Sequence, residues 1–361
     1  MENTILIAGP TASGKSRLAL ELACSLNGII INADSMQVYR ELRVLTARPD
    51  VREEALAPHR LYGIIAASAP FSVGRWLDMV VAEIAAARGA GLVPILVGGT
   101  GLYFQALTEG IAKIPDIPNN ARRRARNLLD KLGAAGVHAV LEVRDPKMAE
   151  RLKPTDSQRL VRALEVIEGT GVSLAEWQGQ PATTPILPGP WYGFVLNWPR
   201  SELYSRCDRR LEQMLDHGAL DEVKALAALD LDPALPAMKA LGVPGLIKLI
   251  RGEMDRASAL ATAMVTTAGR WQAQPCAEAA AVTVSLDAWV KRKSTSARVN
   301  WIRQLARIMG TPWFNHRRRG GGTQSLVFFR VMNLLYIFGG GLSSQVRCVW
   351  GKRILNPSSK L

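Results

Sequence analysis

The sequence predicts an α/β fold: a parallel sheet with helices on both faces, plus an inserted, mainly helical lobe. Three observations lead there. Short apolar runs that read as buried strands alternate with amphipathic segments over the first hundred residues. The pattern then turns helical only, and a second apolar run near residue 191 returns to strand.

Residues 4–8 are an apolar run that stops at Gly9-Pro10, as a strand buried on both faces does. Residues 15–26 carry Leu18, Leu22 and Leu26 at helical spacing and end at Asn27-Gly28. Residues 28–34 form a second strand and 61–66 a third; 73–87 read as a helix, and 92–97 as a strand closed by Gly98-Gly99. Residues 122–132 and 157–168 are amphipathic helices of the lobe, the latter preceded by a turn and cap at Lys153-Pro154-Thr155-Asp156. A Pro/Gly-rich stretch precedes the strand of 191–198, and helices resume over 201–216, 219–229 and 246–251. The expected domains are residues 1–116, the first part of the core; 117–190, the lobe; 191–263, the return to the core; and 264–361, an atypical basic tail.

The 361 residues are 48% hydrophobic and 21% charged, which excludes wholesale disorder. Four cysteines (Cys24, Cys207, Cys276, Cys348) without a C-x-x-C pair argue for a reducing compartment and against a zinc module. No secretion signal precedes the first strand, so a cytoplasmic location is expected. Residues 326–338 are apolar but only 13 long and broken by Arg330 and Asn333, too short for a membrane span.

The net charge of +14 is unevenly placed. Residues 1–263 hold 30 Lys+Arg against 29 Asp+Glu, and residues 264–361 hold 15 against 2. The basicity belongs to the last 98 residues, which also carry five of the nine Trp.

Gly9-Pro10-Thr11-Ala12-Ser13-Gly14-Lys15-Ser16 matches G-x-x-x-x-G-K-[ST] between a buried strand and a helix. Glycines let successive N–H groups point inward, the helix N-terminus adds partial positive charge, Lys15 adds a full one, and the Ser16 hydroxyl can ligate Mg²⁺. The chain is therefore P-loop NTPase-like, with a site for two linked phosphates; the alternative is a glycine turn with an exposed lysine. Phosphate-loop hydrolases need a carboxylate at a strand end, yet the strand of 92–97 runs into Gly98-Gly99-Thr100-Gly101. The acid lies instead at the end of the second strand, as Asp34. By the switch-point rule, Asp34, Thr100 and the phosphate loop share one crevice, and Asp34 is placed to act as base on an acceptor. N-capping is the other role open to Asp34 and Thr100.

These segments, with Asn32-Ala33-Asp34-Ser35-Met36-Gln37-Val38-Tyr39-Arg40, Thr46-Ala47-Arg48-Pro49, Pro58-His59-Arg60-Leu61, Leu96-Val97-Gly98-Gly99-Thr100-Gly101-Leu102-Tyr103, Asp156-Ser157-Gln158-Arg159-Leu160-Val161-Arg162-Ala163-Leu164-Glu165, Arg210-Leu211-Glu212-Gln213-Met214-Leu215 and Leu235-Pro236-Ala237-Met238-Lys239-Ala240-Leu241-Gly242, resemble the tRNA dimethylallyltransferase (IPP transferase) family over about residues 3–263. The resemblance implies transfer of a dimethylallyl group from dimethylallyl diphosphate to N6 of the adenosine 3′ of the tRNA anticodon. It implies that Lys15, the backbone around Gly14, Ser16 through Mg²⁺, Thr100 and Arg210 stabilise the departing diphosphate, while Asp34 receives the amine proton. It also implies tRNA contacts by Asp34, Ser35, Met36 and Gln37, by Arg122, by Gln158, Arg159, Leu160, Val161 and Arg162, and by Lys239, Ala240, Leu241, Gly242, Val243 and Pro244. The arginine-bearing helices read equally as solvated faces, and Gln37 and Tyr39 as packing residues. A monomer working on tRNA without membrane attachment is expected.

Family members usually continue past residue 263 with a Thr-Arg-x-Tyr-Ala-Lys-Arg-Gln segment, which does not align with Ala261 to Gln272 here. The tail is expected to be a frameshifted or foreign reading; the competing reading is a basic tRNA-binding appendage. Two rivals to the transferase are a small-molecule kinase of the shikimate or gluconate type and a catalytically impaired tRNA-binding protein.

Overall fold

The computed structural model describes residues 3–112, 114–180, 186–187, 189, 191–197, 199–273, 282–285, 349–350 and 353–354. The chain divides into two compact units: one of residues 1–104 and 188–361, the other of residues 105–187.

The first unit is built on strands β1 (Thr4–Ala8), β2 (Gly28–Asn32), β3 (His59–Arg60), β4 (Val93–Gly98), β5 (Trp191–Asn197) and β6 (Val282–Ser285). They form one parallel sheet in the order β3-β2-β4-β1-β5-β6. Helices α1 (Lys15–Leu26), α2 (Val51–Leu56), α3 (Val73–Gly89) and α4 (Gly101–Thr108) follow the early strands. Because β2 lies on one side of β1 and β5 on the other, the winding reverses beside β1. Such a switch leaves a crevice at the carboxyl ends of β1 and β4. Ile5, Ile7, Leu22, Ile30, Ile95 and Leu196 fill the core between α1 and the sheet.

One expectation is corrected. Residues 61–66 are not a strand: Leu61 and Gly63 both have positive φ (63° and 61°), which turns the chain out of extension after the two residues of β3. Only Ile65 bridges back, to Tyr39. Beyond residue 263, β6 pairs with β5 from Phe194↔Val282 to Asn197↔Ser285. The expectations for the remainder of residues 264–361 fall largely outside the described residues.

The second unit holds α5 (Asn119–Arg144), α6 (Pro146–Arg151), α7 (Ser157–Thr170) and α8 (Leu174–Gly179). The α5 helix breaks at Gly133 (φ 66°, ψ −178°), next to the end expected at residue 132. Its core joins Ala125, Val137 and Leu141 of α5 to Leu160, Ala163 and Leu164 of α7. After β5 the first unit resumes with α9 (Arg200–Asp216), α10 (Ala219–Ala227), a 3₁₀ turn (Ala237–Lys239), α11 (Val243–Ile250) and α12 (Arg256–Ala273). Around Val223, Leu226, Met238 and Val243 these build a core of their own, shared with Val38, Tyr39 and Leu42. A separate antiparallel pair joins β7 (Val349–Trp350) to β8 (Arg353–Ile354).

Candidate active site

The loop between β1 and α1 wraps around the helix N-terminus. Gly14, at the N-cap, has φ 90°, a left-handed conformation that glycine adopts without a Cβ clash and that starts α1 at Lys15. Lys15 Nζ donates to Pro10 O at 3.2 Å, folding the ammonium back over its own loop. Helix α9 closes the loop from the other side: Arg206 Nε donates to Ala12 O at 2.9 Å, and the Cys207 thiol to Thr11 O at 3.8 Å.

Asp34 is delivered by the end of β2. The buried Asn32 accepts from Asp34 N at 2.8 Å and donates through Nδ2 to Asp34 O (3.0 Å) and Leu61 O (3.1 Å). Its carbonyl accepts from the indole of Trp76 at 2.8 Å, and Trp76 is itself fully buried and stacked on Tyr103 at 4.3 Å. Asp34 Oδ1 accepts from Met36 N at 2.9 Å. Oδ2 faces the crevice: a Cβ placed on Gly99 would stand 3.4 Å from it, 3.5 Å from Gly9 O and 4.0 Å from Lys15 Nζ. The carboxylate, the loop and the ammonium therefore meet at one point at the end of β4. The preceding Gly98 has no room for a side chain at all, because a Cβ there would lie 1.9 Å from Ala33 O.

A cavity of about 180 Å³ opens at this point. Pro10, Thr11, Lys15, Ser16, Asp34, Gly99, Thr100 and Arg210 line its polar part; Met36, Leu45, Leu203, Met214 and Leu241 give it apolar wall. Two cations and one carboxylate share the space. Burial and the neighbouring Arg210 pull the Lys15 ammonium down to about 8, against the opposing pull of Asp34. Burial also lowers the Arg210 guanidinium from its ordinary value and raises the Cys207 thiol. The phenols of Tyr62 and Tyr103 are raised, first by burial and then by the charge of Asp34, so both stay protonated. An enclosed pair of cations with few partners is relieved by an anion, which sets the chemistry the cavity accepts.

Among the expected site residues, those of the phosphate loop, Asp34, Ser35, Met36, Gln37, Thr100, Arg210 and Leu241 belong to this unit, and most of them line the cavity. Thr100 Oγ1 accepts from Ser35 N at 3.0 Å and donates to Ser35 Oγ at 3.3 Å, so its hydroxyl ties β4 to the Asp34 loop. Gln37 donates to Thr46 O and Ala47 O at 2.9 and 3.0 Å, which makes it a brace of the following loop as well as a lining residue. Ala240 and Val243 are buried in the core, while Lys239 and Pro244 are exposed around Gly242. Arg122 and Gln158 to Arg162 belong to the other unit. There Leu160 is wholly buried, Arg159 pairs with Asp156 at 3.3 Å, and Arg162 pairs with Glu165 at 3.3 Å.

Sequence reasoning missed Asn32, Trp76 and Cys207. The stripe Leu203, Cys207, Arg210, Met214 along α9 has helical spacing and was open to reading as one lining face.

Comparison with known proteins adds to this geometry. The sequence profile described as "IPP transferase" matches residues 37–270, and that described as "Isopentenyl transferase" matches residues 2–68. A tRNA dimethylallyltransferase of Rhodospirillum rubrum is 53% identical over 263 residues, 73% of this chain and 81% of that one. A tRNA delta(2)-isopentenylpyrophosphate transferase from Staphylococcus epidermidis, known by crystal structure, is 27% identical with a TM-score of 0.57, covering 85% of this chain and 99% of that one. A eukaryotic dimethylallyltransferase captured acting on tRNA shares the fold at a TM-score of 0.68 and 24% identity, over 91% of this chain and 84% of its own.

Proposed function

The chain belongs to the IPP transferase family, and from that premise we propose that it transfers a dimethylallyl group from dimethylallyl diphosphate to N6 of the adenosine 3′ of the tRNA anticodon. It is a tRNA-modifying prenyltransferase. The observation that carries the site assignment is the meeting of Asp34 Oδ2, the phosphate loop and Lys15 Nζ around Gly99.

The adenine amine attacks C1 of the allylic ester, the C1–O bond breaks, and diphosphate departs with the bonding electrons. The barrier falls mainly by stabilising that leaving group. The loop amides, Lys15 and Arg210 supply the stabilisation; Lys15 and Arg210 line the same cavity and share one carboxylate, Asp34, so both gain when charge develops on the diphosphate. The Thr100 hydroxyl has only a long donation to Ser35 Oγ to give up before it turns to the ester oxygen. The amine proton becomes acidic as the N–C bond forms and passes to Asp34 Oδ2, whose partner oxygen is already held by Met36 N.

Mg²⁺ fits this donor set as an ion shared with substrate. Ser16 presents a hydroxyl at the cavity, and among the described residues no cluster of three His, Cys, Asp or Glu could hold a metal by itself. Ser16 would hold the ion against the diphosphate, where it supplies charge neutralisation of the leaving group. Residues 117–190 are taken as the tRNA-contacting lobe, with Arg122, Gln158, Arg159 and Arg162 on its contact surface and the exposed Lys239 on the first unit. The enzyme is taken as a cytoplasmic monomer.

Incubation with labelled dimethylallyl diphosphate, Mg²⁺ and unmodified tRNA tests the function. Label is expected on the adenosine following the anticodon; phosphoryl transfer from ATP to a small alcohol, with unlabelled RNA, would overturn it.

A further inference from the structure

The loop of residues 41–47 supplies Leu45, Thr46 and Ala47 to the cavity, yet belongs to no helix or strand. Its backbone is held by one distant side chain. Glu222, on α10, accepts from Arg43 N at 2.6 Å and Val44 N at 2.7 Å through Oε2, and from Leu45 N at 2.9 Å through Oε1. Three successive amides aimed at one point form an anion-binding concavity. Here the anion is a carboxylate of the same chain, bound by charge-assisted hydrogen bonds. Gln37 grips the other end of the loop at Thr46 O and Ala47 O.

Leu45 is the residue this clamp fixes. It packs into the core of α10 and α11 and is 7% exposed, with Gly242 close enough that a Cβ there would meet Leu45 Cδ1 at 3.3 Å. Its remaining surface faces the cavity. Met36 and Met214 pack against the same cluster and also line the cavity, so the three side chains form one apolar wall. Lys15, Arg210 and the loop amides provide the part suited to diphosphate, and this wall is the part suited to a hydrocarbon.

We propose that Glu222 is a positioning residue for prenyl-chain selectivity: by holding Leu45 in the apolar wall, it limits the transferred tail to five carbons. The proposal rests on the prenyl-transfer reading above. A glutamine at 222 keeps one acceptor oxygen but turns an NH₂ group toward the amide donors, so the loop loosens and Leu45 withdraws. A longer tail then fits where only the short one did.

The test compares kcat/KM for dimethylallyl and geranyl diphosphates, with unmodified tRNA, in the wild type, Leu45→Ala, Met214→Ala, Glu222→Gln and the Leu45→Ala/Glu222→Gln double variant. Leu45→Ala and Met214→Ala are expected to lower the five-carbon to ten-carbon preference by at least about tenfold. Glu222→Gln should shift it in the same direction, and the double variant no further than Leu45→Ala alone, because Glu222 acts through Leu45. Melting temperatures are recorded alongside; should Glu222→Gln fail to fold, Glu222→Asp, with the charge on a shorter arm, is read the same way. A preference unchanged by Leu45→Ala and Met214→Ala in an active enzyme overturns this proposal alone. So does a Glu222 variant that loses melting temperature or turnover with its preference intact. A wild type that transfers no prenyl group overturns both this proposal and the function.

Discussion

The Asp34 carboxylate has two oxygens in different situations, and the division determines what its removal does. Oδ1 is engaged by Met36 N, whereas Oδ2 stands beside the point where Gly99, Gly9 O and Lys15 Nζ converge. Asp34→Ala should lower prenyl transfer by about 10²–10⁴-fold, the range of a lost general base. Diphosphate affinity should not weaken, since no group that binds phosphate is lost; calorimetric titration with dimethylallyl diphosphate checks this, and undiminished turnover would remove Asp34 as proton acceptor. Lys15 gives the complementary test by pH. Burial lowers its ammonium to about 8, so the free enzyme carries that charge below pH 8 and sheds it above. A bound diphosphate holds the proton on. The dissociation constant should therefore climb by about tenfold per unit above about pH 8, one proton being taken up on binding. Lys15→Met should bind weakly and lose that inflection. An inflection that persists in this variant would assign it to another group.

At the scale of elements, the site depends on how closely β2 and β4 run together at their carboxyl ends. Gly98 meets Ala33 O so closely that a Cβ would sit at 1.9 Å, and backbone has no rotamer with which to move aside. Gly98→Ala should cost about 3 kcal/mol or more, the upper range for overpacking, read as a lower urea midpoint. Because Asp34 and Thr100 lie just beyond this contact, turnover should fall further than the stability loss accounts for. Strands β1, β2 and β4 were legible in the sequence, since strands buried on both faces are unbroken apolar runs. The third was misplaced because residues 61–66 are apolar for a different reason: Tyr62 packs against the core of the sheet and α1 while Ile64 and Ile65 pack with the core of α10 and α11, across a turn whose positive φ at Leu61 no composition signals. The strand β6 is only four residues long, and its alternation, Val-Thr-Val-Ser, is too short to stand out in the sequence. In the site, the phosphate loop announces itself through local spacing, and Asp34 follows from strand order. Trp76 on Asn32 O and Glu222 on residues 43–45 join positions 44 and up to 179 apart, so only the assembled fold brings them together.

Across the whole molecule, binding of the two substrates should be separable. Every residue lining the cavity belongs to the unit of residues 1–104 and 188–361, and the unit of residues 105–187 has its own core around Leu160, Ala163 and Leu164. Damage to the second core should spare diphosphate binding and impair whatever that unit holds. Leu164 is wholly buried, so Leu164→Asp forces an unpaired carboxylate into the core at a cost of several kcal/mol, enough to undo a small helical unit. Calorimetry with dimethylallyl diphosphate should give an unchanged dissociation constant. Filter binding with tRNA should show affinity lower by at least about tenfold, with a shallower dependence on salt, if the arginine-bearing helices make the phosphate contacts proposed for them. Transfer at saturating diphosphate and limiting tRNA should fall in proportion to the tRNA affinity. Parallel loss of diphosphate binding would mean that the units fold as one cooperative block. Intact tRNA affinity in a variant whose second unit has melted would place the RNA contacts on the first unit alone.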